Sequence, residues 1–170
     1  MAERLKSWAQ SLALVGALWV CAQPAHAVTV LDDRQQKLQI AQAPQRIVSL
    51  LPSLTETVCA LGACDRLVGV DNYSNWPDRV KSLPHVGGLE DAQVETVVAL
   101  RPDLVLAATS TRSVARLEAL GLRVLAIEPR TLADLRRVIA QLDQALATCQ
   151  GAALQAGIDQ ALAGAASLVS

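Results

Sequence analysis

Phenylalanine is absent from this 170-residue chain, and one tyrosine and three tryptophans make up its whole aromatic content. Histidine occurs twice, at His26 and His85, so a multi-histidine metal site is excluded. A Ser-His-Asp arrangement would have to run through His85, and no GxSxG turn accompanies it. Neither GxGxxG nor GxxxxGK followed by Ser or Thr occurs, so dinucleotide and P-loop readings lack their fingerprints. The formal net charge is −1, which leaves no basic excess for nucleic acid. Beyond the first 27 residues no hydrophobic run is long enough to span a bilayer. Four cysteines are present without CxxC or any other zinc spacing. A Cys59–Cys64 bridge across a helix end is one reading of them. The favoured one is that Cys59, Cys64 and Cys149 are small buried residues.

The chain opens with MAERLKSWAQSLALVGALWVCAQPAHA. A basic start (Arg4, Lys6) leads into an apolar stretch from Trp8 to Val20 and a small-x-small signal at Ala25-His26-Ala27. The stretch is too short for a spanning helix, so the expectation is an export signal over 1–27 cleaved after Ala27, with an uncleaved anchor as the rival. A lipid-attached form would use Cys21, but Trp19-Val20 ahead of it is bulkier than lipoprotein processing sites usually carry. What remains is long enough for one domain with its own core. It keeps only two aromatics, Tyr73 and Trp76, and both fall in VGVDNYSNWPDRV. An aliphatic protein that places both in one polar loop needs a reason.

After the leader, VTVLDDRQQKLQI predicts a β-hairpin with strands at 28–31 and 37–40 about Asp32-Asp33. Nearly continuous apolar runs follow at 46–51, 67–70, 103–107 and 123–127, as parallel strands covered on both faces require. Helical segments separate them. PSLTETVCALGA offers Ser53 as N-cap, Glu56 as its capping-box partner and Gly62 as the stop. DAQVETVVALRP carries a Val94, Val97, Val98 stripe closed by Pro102, and STRSVARLEALG places Val114, Leu117 and Leu120 on one face before Gly121. The alternation predicts an α/β fold: a doubly wound, mostly parallel sheet forming one Rossmann-like lobe over 28–147. In TLADLRRVIAQLDQAL, opened by Thr131, Leu132, Leu135, Val138, Ile139, Leu142 and Leu146 recur at helical spacing. A long C-terminal amphipathic helix over 148–170 carries a second stripe, Leu154, Ile158, Leu162 and Val169, weakened by Gly157 and Gly164 at about 1 kcal/mol each relative to Ala. No strand follows, and the helix has nothing after it to cover.

Ligands of open α/β sheets bind beyond the carboxyl ends of the strands. Here the loops at 51–53, 71–77, 109–112 and 128–130 lie there, and the second holds both aromatics. Tyr and Trp offer large, stiff contact area with one polar handle, which suits a flat, partly polar ligand. Asn72 and Ser74 add polar groups beside them. Trp76 either contacts such a ligand or packs under its own loop beside Pro77, whereas Tyr73 is read as a ligand contact.

From about Pro44 to Ile139 the sequence resembles the helical-backbone (class III) substrate-binding proteins of ABC importers for cobalamin, haem and ferric siderophores. The resemblance rests on RIVSLLPSLTETVCALGACDRLVGVDNYSNWP, LPHVGG, VETVVALRPDLVLA and LEALGLRVLAIEP in that order and spacing. SLLPSLTE followed by VGVDNYSNWP is most similar to the cobalamin-binding branch, where a Tyr at the place of Tyr73 stacks along the corrin. The resemblance implies ligand contact at Tyr73, with Pro52 and Ser53 as weaker neighbours, and a permease-docking role for Glu95, which bottom-up reading leaves free to face outward beside its valine stripe. It also implies a periplasmic location, a permease and its ATPase at the inner membrane as partners, a corrinoid or other metal chelate as ligand, and no resident cofactor or metal. Members have two α/β lobes that close on the ligand about one rigid connecting helix and move little, so the resemblance implies that this chain carries the first lobe and the linking helix over 148–170, with the second lobe missing. Close cobalamin-binding relatives can carry Trp at the places of Leu89 and Ala108, so part of that aromatic cage is absent here. A haem binder would need an iron ligand, for which Tyr73 and His85 are available, and His85 in its turn reads as solvated.

Three functions follow from these readings. The first is a non-enzymatic periplasmic module that captures a corrinoid, or haem or a ferric siderophore, and delivers it to an ABC permease. The second is a small exported hydrolase using Ser53 and Asp71, which the missing nucleophile elbow opposes. The third is a half-receptor that binds no ligand and acts through docking alone. An exposed apolar stripe on the terminal helix would favour self-association.

Overall fold

The first element described is a hairpin, β1 (Val28–Leu31) against β2 (Lys37–Ile40), antiparallel and at the bounds expected from the sequence. Asp32 closes its turn by accepting the amides of Arg34 at 2.9 Å and Gln36 at 2.8 Å, the local bonding that makes aspartate a turn residue. The computed structural model describes residues 27–88 and 90–167. All of the expected leader except Ala27 therefore lies outside the described residues, as does Val169.

Next come β3 (Ile47–Ser49), α1 (Pro52–Ala60), β4 (Leu67–Val70), α2 (Val94–Ala99), β5 (Leu104–Ala107), α3 (Val114–Ala119) and β6 (Val124–Ala126). The four strands form one parallel sheet in the order β4-β3-β5-β6. The chain leaves β3 toward one edge and returns beyond it toward the other, so a topological switch point lies between β3 and β5. Alternate residues of each strand serve opposite faces. Ile47, Leu104, Leu106 and Leu125 pack with Leu54 and Val58 of α1 and its C-cap Leu61 on one side, while Val48, Val105, Ala107 and Val124 pack with Val94, Val97, Val114 and Leu117 of α2 and α3 on the other. Both layers are aliphatic throughout, which is how a core forms without phenylalanine.

Two helices complete the chain. Helix α4 (Leu132–Leu146) starts at a capping box: Thr131 Oγ1 accepts the Asp134 amide at 3.1 Å and Asp134 Oδ2 accepts the Thr131 amide at 3.0 Å. Val138, Ile139, Leu142 and Leu146 are buried against the α1 face of the sheet. The Arg66 guanidinium, held in a short 3-10 turn at Cys64–Arg66, donates to the Leu146 carbonyl at 2.7 Å and so satisfies the end of α4. Helix α5 (Gly151–Ser167) then folds back on α4, with Leu154 and Ile158 half-buried, Gln155 donating to the Arg136 carbonyl at 3.0 Å, and an Arg136–Asp159 ion pair. No described helix is long and apolar enough to cross a membrane.

Several local expectations are corrected. Ser53 is not the N-cap of α1: Leu51 is, without a side-chain bond, because Pro52 fits the first helical position and draws the start one residue earlier. Leu120 does not join the α3 stripe; the helix ends at Ala119 and the side chain turns out, 57% exposed. Val98, Leu132 and Leu162 are exposed as well. Cys59 and Cys64 are not independent buried residues but a disulfide joining the end of α1 to the 3-10 turn, and Cys149 is exposed.

Candidate ligand-binding site

The loop after β4 is tied inward at one residue. Asp71 is 1% exposed; its Oδ1 accepts the Tyr73 amide at 2.8 Å and its Oδ2 accepts the Ser74 hydroxyl. Ser74 Oγ also lies 2.9 Å from Thr55 Oγ1, which bolts the loop to α1. The Asp71 carbonyl meets His85 Nδ1 at 3.1 Å, and the Asn72 amide donates to the Gly87 carbonyl at 2.9 Å. A buried carboxylate must have its lone pairs met, and meeting them here fixes the backbone on both sides of residue 72.

That inward knot presents its two aromatics outward. Tyr73 is 75% exposed and Trp76 62% exposed. The Tyr73 ring passes close over Gly88, where an added Cβ would sit 3.4 Å from Cε2. Burying a large apolar side chain stabilises a fold by roughly 1.5–3 kcal/mol, and these two forgo it on a loop whose backbone is already ordered. Such preorganised aromatics bind at low entropic cost. Trp76 is thus not packed under its own loop beside Pro77.

Ser74 is a correction of another kind. Read from the sequence as a ligand contact, it is buried with its hydroxyl committed to Asp71 and Thr55, so it positions the loop. Asn72 is exposed beside Tyr73, and Pro52 and Ser53 are half-buried in the first turn of α1, at the carboxyl end of β3. The loops after β5 and β6 supply a polar feature that sequence reasoning did not single out. Thr109 Oγ1 donates to Glu128 Oε2 at 2.7 Å, and that hydroxyl, with weaker help from Arg130, outweighs partial burial and holds the Glu128 carboxyl below the usual range. The spacing of Thr109 and Glu128 from the ends of two apolar runs is the signal that could have found them. Ala108 is small and buried at the end of β5, and Leu89 lies outside the described residues.

Glu95 stands on α2, and its carboxylate is not free: Arg116 of α3 donates to its Oε1 at 2.7 Å. The pair is exposed on both sides.

The pattern described as periplasmic binding protein matches residues 47–170. The chain belongs to that family. Periplasmic binding proteins are substrate-binding proteins rather than enzymes. Among its relatives, an uncharacterized ABC transporter substrate-binding lipoprotein of Bacillus subtilis is 37% identical over 126 residues, covering 66% of this chain and 40% of the relative. A vitamin B12-binding protein of Yersinia pestis is 41% identical over 92 residues, 52% of this chain and 33% of the relative. Among solved structures, a periplasmic haem-binding protein from Pseudomonas aeruginosa superposes with a TM-score of 0.70 at 35% identity, covering 73% of this chain and 46% of that one. The periplasmic vitamin B12-binding protein of Vibrio cholerae does so with a TM-score of 0.64 at 28% identity, covering 72% and 49%. The chain thus spans between a third and a half of the length of these relatives. The α/β lobe, its parallel sheet and the helical-backbone class are those read from the sequence.

Proposed function

We propose that this member of the periplasmic binding protein family is the solute-binding component of an ABC importer, exported after cleavage at Ala27, that captures a corrinoid such as cobalamin and hands it to a membrane permease served by an ATPase. The observation that carries the reading is the outward display of Tyr73 and Trp76 from a loop tied inward through Asp71. A rigid aromatic wall at the strand ends suits a flat chelate, and Asn72, with Pro52 and Ser53 at the first turn of α1, offers polar and apolar edges to its rim. Glu95 is the docking residue, a rim charge that governs partner choice and association rate more than bulk affinity. Haem is the second reading, favoured by the likeness to the Pseudomonas haem-binding structure and by the exposed phenol of Tyr73, which is available to iron.

In a chain starting at Val28, Trp76 is the sole tryptophan, so its fluorescence reports this loop. Titration with cyanocobalamin, haemin and a ferric siderophore, corrected for absorbance, should give saturable quenching by cyanocobalamin that is lost in Tyr73→Ala. Saturation by haemin alone would establish the second reading. No saturable response to any of the three would overturn ligand capture by this lobe.

A further inference from the structure

Two acidic residues on the segment around α2 each meet an arginine on the segment around α3. Glu95 pairs with Arg116 at 2.7 Å and Glu90 with Arg112 at 2.8 Å, and all four side chains are largely exposed. Glu95 and Arg116 stand on α2 and α3 themselves, while Glu90 and Arg112 lie in the turns that lead into those helices. Val98, one turn on from Glu95, and Leu120, one turn on from Arg116, are exposed beside them. The result is a surface with apolar shoulders and acids already neutralised from within the chain.

Exposed ion pairs contribute little to stability, because solvent and salt screen them and two long side chains must be ordered. A pair this exposed can therefore be opened readily by a competing cation. We infer that Arg116 is an internal competitor for the Glu95 carboxylate: a basic partner surface docking here must displace the Arg116 guanidinium, so docking strength is set partly inside this chain. The inference rests on the proposed docking of Glu95 to a permease. The occupant it commits to is a permease surface carrying arginine or lysine opposite Glu95, since only a cation both needs that carboxylate and is repelled by Arg116. Arg116 would act as a positioning residue that keeps the encounter weak and reversible.

The experiment is binding of the chain starting at Val28 to the purified permease–ATPase complex of its own importer in nanodiscs, at low and at near-physiological salt. Glu95→Gln should weaken docking about tenfold or more. Arg116→Gln should tighten it about two- to five-fold, mainly through a faster on-rate and more so at low salt, the range an exposed pair can supply. Arg116→Lys retains a competing cation and should dock like the parent. Thermal midpoints of the variants, unchanged in each case, separate these effects from loss of structure. If Arg116→Gln leaves docking unchanged or weakens it while Glu95→Gln abolishes it, the competitor role is overturned and docking through Glu95 stands. If the parent chain does not dock, or Glu95→Gln has no effect, the docking reading itself fails and the inference with it.

Discussion

Asp71 and Tyr73 divide one loop between inside and outside: the buried carboxylate accepts the tyrosine amide at 2.8 Å while the tyrosine ring projects into solvent. Fold and site are therefore supported by neighbouring residues with opposite burial, and substitutions at the two should have separable effects.

Tyr73→Ala should leave stability within about 0.5 kcal/mol of the parent, as expected for a largely exposed side chain. Ligand affinity should fall at least about tenfold, the scale of a truncated aromatic anchor. Urea unfolding alongside the Trp76 titration measures both. A large loss of stability would mean that the ring packs on Gly88 as a structural element.

Ser74→Ala should behave differently. Removing a buried hydroxyl that serves both Asp71 and Thr55 leaves a carboxylate oxygen without its donor, at a cost of about 1–3 kcal/mol. Ligand affinity should fall as well, although Tyr73 is intact, because the loop that aims it loosens. Unchanged affinity in a destabilised Ser74→Ala protein would separate the knot from the site.

Joining Cys59 to Cys64 closes a loop of only a few residues, so the disulfide should contribute about 2 kcal/mol by the chain-entropy account. Cys59→Ser with Cys64→Ser should lower the denaturation midpoint accordingly. In a chain beginning at Val28, a maleimide applied without reductant should label Cys149 alone, which mass spectrometry reads directly.

Asp143 makes the junction between α4 and α5 sensitive to acid. Burial pushes its pKa up, but the Thr148 hydroxyl and the amides of Gln150, Gly151 and Cys149 outweigh that and hold it below the ordinary aspartate value. The unfolded chain then binds the proton first as pH falls. This share of stability is present above the unfolded value of about 3.9 and is lost as pH drops through the lower folded value. Asp143→Asn should therefore flatten the acid limb of stability against pH, measured by urea unfolding between about pH 6 and 2. An unchanged acid limb would show that the junction does not depend on this carboxylate.

Much of the fold was legible residue by residue. Both hairpin strands and β4 fall where their apolar runs lie, and β3, β5 and β6 fall inside longer runs read as strands. Thr131 opens α4 as its sequence signals. Ser53 misled because a capping box and a helix-starting proline competed for adjacent positions, and proline, which has no amide to satisfy, took the first turn. At the site, the exposure of Tyr73 agreed with the reading of an aromatic in a polar loop. Ser74 did not, since a serine in such a loop carries no mark of which way its hydroxyl turns.

By itself the sequence determined the kinds of element and their order, because strand and helix periodicities express which neighbours along the chain share a buried face. It also determined that the two aromatics beyond residue 27, Tyr73 and Trp76, fall together in one polar loop. Only the tertiary structure decided which distant groups meet. Thr55 with Ser74, Glu95 with Arg116, and Asp33 with Arg137 are brought together by the strand order β4-β3-β5-β6 and the packing of the helices on it. Directional bonds and ion pairs act over a few ångströms of space, whatever the separation along the chain. Their partners are settled only once apolar burial has set the crossovers.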